Sequence, residues 1–61
     1  MNEVYKIYRV AVYFRMDGLR GREEYSIKTY STVRARAKIK ERFEYETLHL
    51  YAKDVRYEVT L

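Results

Sequence analysis

From Val4 to Met16 apolar side chains recur at every second position. Val4, Tyr8, Val10, Val12, Phe14 and Met16 occupy even positions, interrupted only by Lys6, while Tyr5, Ile7, Arg9, Ala11, Tyr13 and Arg15 occupy odd ones. Successive strand side chains point to opposite faces, so the even set predicts the buried face of a long strand and the odd set its outer face. The segment Met16-Asp17-Gly18-Leu19-Arg20-Gly21 holds both glycines of the chain. Asp-Gly between two apolar-rich runs predicts a hairpin loop, because glycine accepts positive φ without a steric penalty. Arg22 to Thr29 then reads as the partner strand, with Tyr25, Ile27 and Thr29 on the core face and Glu24, Ser26 and Lys28 outside. Glu23 or Glu24 is placed to pair with Arg15 across the hairpin, a contact worth little where exposed.

The period then changes. Ser31 or Thr32 can cap a helix, its side-chain oxygen accepting from a free backbone N–H two or three residues on. Ala35, Ile39 and Phe43 fall four apart, which predicts a helix from Val33 to about Glu44 with this stripe on the sheet and Val33 at its edge. Beyond it Leu48, Leu50 and Ala52 alternate, as do Val55, Tyr57, Val59 and Leu61, but in opposite phase. A β-bulge at Lys53-Asp54 restores one inward face over a strand of about 48–61; a tight turn there makes a second hairpin instead. The bulged strand is preferred because its length matches the first strand. The predicted fold class is α+β, a three-stranded antiparallel sheet with one helix packed on one face in the order β-β-α-β, with residues 1–61 as a single domain. Val10, Val12, Ile27, Ile39, Phe43, Tyr57 and Val59 are expected to be buried together.

Composition narrows what such a domain does. Hydrophobic residues at 48% and charged residues at 36% suit a folded chain, and eight Tyr with two Phe favour strands. A domain of this size buries only about 60% of its unfolded surface and usually needs reinforcement. Cysteine is absent and His49 is the only histidine, so neither a disulfide nor a zinc site with four nitrogen or sulfur ligands is expected, and no cofactor. Good strand and helix packing or self-association is left as the reinforcement, and a homodimer through the sheet face or an edge strand is expected. No apolar run approaches the ~20 residues that span a bilayer. Met1-Asn2-Glu3 lacks the basic and apolar parts of a signal peptide, so the expected location is cytoplasmic, without a membrane partner.

Catalysis is not expected. His49 has no cysteine and no acidic motif beside it and reads as a half-exposed strand histidine. Glu44 and Glu46 flank Tyr45, but an exposed helix end accounts for them better than paired acid–base chemistry. No glycine motif cradles a phosphate and no residue spacing suits a metal. A fold this small also offers little concavity for a substrate.

Two surfaces stand out in a chain of net charge +4. Arg34, Arg36, Lys38, Lys40 and Arg42 alternate along the predicted helix, with Glu41 the one acid inside the run. On a helix they divide into a stripe of Arg34, Lys38 and Arg42, expected to lie largely opposite the core stripe, and another of Arg36 and Lys40. Such stripes neutralise phosphates, which Arg also grips bidentately; the plain alternative is a solvated face. The second surface is the outer sheet face, with Tyr5, Ile7, Arg9, Tyr13 and Arg15 and, as candidates to join them, His49, Tyr51 and Lys53. Aromatic residues interleaved with Arg on an open sheet stack single-stranded bases, and equally make protein or homodimer interfaces.

The segment Tyr25-Ser26-Ile27-Lys28-Thr29-Tyr30-Ser31-Thr32, a second strand running into a Ser/Thr-started helix with Ala35 and Ile39 following, resembles two kinds of small β-β-α-β protein. One is the archaeal ribosomal protein LX type, which is basic and sits on ribosomal RNA. The other is the small phage-encoded inhibitor of bacterial RNA polymerase, from which the basic helix departs, so no site residues carry over. The resemblance covers roughly residues 5–43 and implies the fold; function is argued from the site. The expected function is a small non-catalytic binding protein, of a type that suits a virus or mobile element acting in the host cytoplasm. It contacts nucleic acid or a nucleoprotein through the basic helix and the Tyr/Arg sheet face. The alternative is a protein-binding inhibitor or adaptor acting on a host enzyme, and a ribosomal or structural role is a third reading.

Overall fold

A computed structural model describes residues 4–46 and 50–61. The alternating run forms β1 (Lys6–Met16), which turns at Asp17-Gly18 into β2 (Leu19–Thr29). Asp17 and Gly18 both have positive φ, 53° and 77°. This is the two-residue hairpin turn whose twist matches that of its strands. The loop is therefore shorter than the glycine cluster suggested. Leu19 to Gly21 belong to β2, and Gly21 stands opposite Phe14 instead of turning the chain.

The helix α1 spans Thr32–Glu44 and the last strand β3 spans Lys53–Thr60. Of the two capping candidates, Ser31 is the cap: its Oγ accepts from the Arg34 amide at 3.2 Å. That bond satisfies one of the amides a helix leaves free in its first turn.

The sheet order is β2-β1-β3, with β1 central and antiparallel to both neighbours. Tyr13 opposes Arg56 and Arg15 opposes Lys53, so Asp54 and Val55 together stand against Phe14 alone. This is the expected bulge, with Asp54 at a φ of 53°. The strand is shorter than the 48–61 of the sequence reading. Residues 50–52 precede it, and Leu48 and His49 lie outside the described residues.

The helix covers the even face of β1. Tyr8, Val10, Val12 and Phe14 meet Ala35, Ile39 and Phe43 in one buried cluster. Phe43 is fully buried, its ring centroid 5.7 Å from that of Phe14 and 6.3 Å, edge-on, from that of Tyr57. Ile27, Tyr57 and Val59 are half-buried rather than fully buried, because they sit on the two flanking strands where the helix overhangs only in part. The Tyr8 hydroxyl donates to the Tyr30 carbonyl at 3.3 Å, which satisfies a buried phenol.

The body is long and thin, 47 × 19 × 14 Å. A 13-residue helix is about 20 Å long, whereas an 11-residue strand runs to about 37 Å. The helix ends near Phe14, so the hairpin projects beyond it and Leu19 is 74% exposed. Among the described residues no element covers the odd face of β1.

Candidate binding surfaces

The helix cations are exposed, but they do not form one ridge opposite the core. Arg34 and Arg42 sit one residue before Ala35 and Phe43, about 100° round the helix. Arg34 Cζ lies 5.1 Å from the Tyr30 ring centroid and Arg42 Cζ 5.6 Å from that of Tyr25. The Arg34–Lys38–Arg42 stripe thus overhangs β2. Arg36, whose charge acts on the Tyr57 phenol, and Lys40 flank the β3 side. Val33, Ala37 and Glu41 are exposed between the two stripes. The reading that placed the first stripe opposite Ala35, Ile39 and Phe43 is corrected accordingly: both stripes are flanks. Arg34 and Arg42 lie over tyrosine faces, and none of the five helix cations has an ion-pair partner among the described residues.

The outer sheet face is organised in rows across β1. Nearest the hairpin turn is Lys53-Arg15-Arg20, then Arg56-Tyr13-Arg22, then Glu58-Ala11-Glu24, then Thr60-Arg9-Ser26. The two rows at the hairpin end hold five cations around one tyrosine. Arg56 Cζ stands 5.1 Å and Arg22 Cζ 5.7 Å from the Tyr13 ring centroid. Each guanidinium gains a cation–π contact and is held on a planar support. Tyr13 is half-buried as a result, so it serves as a support for arginines and not as an open stacking platform.

Acids temper this cluster. Arg22 pairs with Glu24 at 2.7 Å along the same strand, and Arg15 pairs with Asp54 of the bulge at 3.4 Å. The cross-hairpin pairing of Arg15 with Glu23 or Glu24 does not form. Arg15 instead faces the carboxylate that the bulge turns toward it. Arg20, Lys53 and Arg56 have no ion-pair partner among the described residues.

Tyr5 and Ile7 lie at the far end of the same face and are 52% and 63% exposed. The Tyr5 ring stacks on Tyr30 with centroids 4.2 Å apart, and Lys28 Nζ lies 6.0 Å from the Tyr5 centroid. The predicted interface set is therefore split: Arg9 and the Glu58-Ala11-Glu24 row separate Tyr5 and Ile7 from Tyr13 and Arg15. Tyr51 does not extend the sheet face as a strand residue. It precedes β3 and lines a depression beside the hairpin turn with Asp17, Gly18 and Lys53.

Arg20, Arg22 and Arg56 come beside Tyr13 through strand register and not through spacing along the chain, so no sequence pattern groups them. Burial raises the Tyr25 and Tyr57 phenols above the ordinary tyrosine value. Glu46 and Glu23 add to the shift at Tyr25 and Glu44 adds to it at Tyr57, while Arg42 and Arg36 oppose these. Among the described residues, no three His, Cys, Asp or Glu side chains gather where a metal ion could be held, and no helix is long and apolar enough to cross a membrane.

The chain matches no family model, no curated protein and no solved structure. The β-β-α-β order implied by the resemblance is present, and no match ties it to either of the two protein kinds.

Proposed function

We propose that the protein is a non-catalytic module that binds the phosphate backbone of nucleic acid, alone or within a nucleoprotein. The observation that carries this reading is the gathering of Arg15, Arg20, Arg22, Lys53 and Arg56 from three strands around Tyr13. Arginines stacked on a tyrosine keep their N–H forks free for phosphate oxygens and lose little further freedom on binding. Arg34, Arg36, Lys38, Lys40 and Arg42 supply a second set of cations on the helix. Contacts to phosphate carry no sequence information, so affinity through them is expected to be indifferent to sequence.

A second reading is contact with a protein, either a host enzyme or a second copy. It is favoured by one observation, the exposed Tyr5 and Ile7 at the open end of the outer sheet face. The two readings separate in fluorescence anisotropy at low salt, with labelled duplex and single-stranded oligonucleotides of several unrelated sequences. The phosphate reading expects binding to all of the duplexes with similar affinity. Absence of binding to both duplex and single strand removes it and leaves the protein-contact reading.

A further inference from the structure

The two cationic surfaces lie on opposite sides of one thin body. The helix packs on the even face of β1, and the Arg56-Tyr13-Arg22 and Lys53-Arg15-Arg20 rows lie on the odd face. Both sides carry cations without an ion-pair partner among the described residues: Arg34, Arg36, Lys38, Lys40 and Arg42 on the helix, and Arg20, Lys53 and Arg56 in the two sheet rows at the hairpin end. From these observations we infer that a single copy bridges two separate nucleic-acid duplexes, one on each side. The inference rests on the phosphate-binding reading above and gives it a mechanical consequence.

The body is 19 × 14 Å in cross-section. Duplex DNA has a persistence length of about 150 bp, so it does not curl tightly enough around a body of this size to reach both sides. A duplex seated on the sheet rows leaves the helix cations unsatisfied, and the reverse holds as well. The remaining surface attracts a second duplex, because each phosphate neutralised releases condensed counterions. Placing a cationic body between two duplexes also lowers their mutual repulsion. A flexible single strand faces no such limit and reaches both sides of one copy, so bridging belongs to duplexes.

The test is co-capture. One duplex is fixed to beads and a second, unrelated in sequence, carries a fluorophore. Both are mixed with the full chain at low salt. Fluorescence on the beads should rise with protein, then fall at large excess, when every duplex carries its own bound copies. Two variants accompany the natural chain, Arg36→Glu/Lys38→Glu/Lys40→Glu and Arg20→Glu/Lys53→Glu/Arg56→Glu, each checked for fold by circular dichroism. Each should retain weakened binding to a single duplex in anisotropy through its intact side, while co-capture drops to the protein-free level.

Duplex binding by the natural chain without co-capture overturns the bridging inference and leaves the phosphate reading standing. Failure of all duplex binding removes the bridging inference, and removes the phosphate reading as well when single strands also fail to bind. Co-capture that survives in one variant overturns single-copy bridging, because a single side then suffices and the second duplex is held by a second copy of the protein.

Discussion

Gly21 of β2 lies against the ring of Phe14 of β1, so a Cβ at position 21 would overlap that ring. Gly21 has no positive φ, and its absent side chain is what lets Phe14 lie across the edge strand and reach Phe43. The glycine is needed for room and not for a turn.

Gly21→Ala should therefore destabilise the fold by about 1–3 kcal/mol, the usual range for overpacking a core. Urea denaturation measures this. Phe14→Leu withdraws the obstructing ring, so the double variant should lose less than the sum of the two single losses. Strictly additive losses would show that the two positions do not compete for the same space.

Phe43→Ala should cost ~3–5 kcal/mol, as aromatic core truncations do. A core of this size supplies no more than about 3–5 kcal/mol in total, so the variant should be largely unfolded by circular dichroism at room temperature. A well-folded variant would mean that Ala35 and Ile39 suffice to dock the helix.

The sequence made the element order, the helix stripe and the bulge legible, because each leaves a periodic trace: Ala35-Ile39-Phe43 for the helix, and the phase slip at Lys53-Asp54 for the bulge. The cationic cluster left a fainter one. A two-residue turn at Asp17-Gly18 fixes every pairing in the hairpin, setting Arg15 against Arg20 and Tyr13 against Arg22. Reading the segment through Gly21 as loop concealed that register. Arg56 was less legible still, since its place beside Tyr13 depends on the bulge adding one residue to β3. The flanking position of Arg34 and Arg42 follows from helical geometry, but their settling on Tyr30 and Tyr25 needs the docked helix.

Alkaline pH should weaken the fold through Tyr25 and Tyr57. Burial raises both phenols, so the folded chain holds these protons more tightly than the unfolded chain does. Their contribution is complete below the ordinary tyrosine value of 10.0 and is lost as pH rises through that value toward the raised folded one. Thermal melts across this range should show a fall in stability that is shallower in Tyr57→Phe. An equal fall in the variant would assign the pH dependence to other groups.

Phosphate binding is tested most directly by the salt dependence of affinity for one short duplex, with protein dilute enough that each duplex carries a single copy. The three cations without an ion-pair partner at the hairpin end of the sheet, Arg20, Lys53 and Arg56, predict a slope of about −2.7 in log affinity against log salt for a duplex seated there, from ~0.9 per phosphate neutralised. The Arg20→Glu/Lys53→Glu/Arg56→Glu and Arg36→Glu/Lys38→Glu/Lys40→Glu variants should bind more weakly than the natural chain. A slope near zero, or affinity unchanged by both triple reversals, would contradict the account.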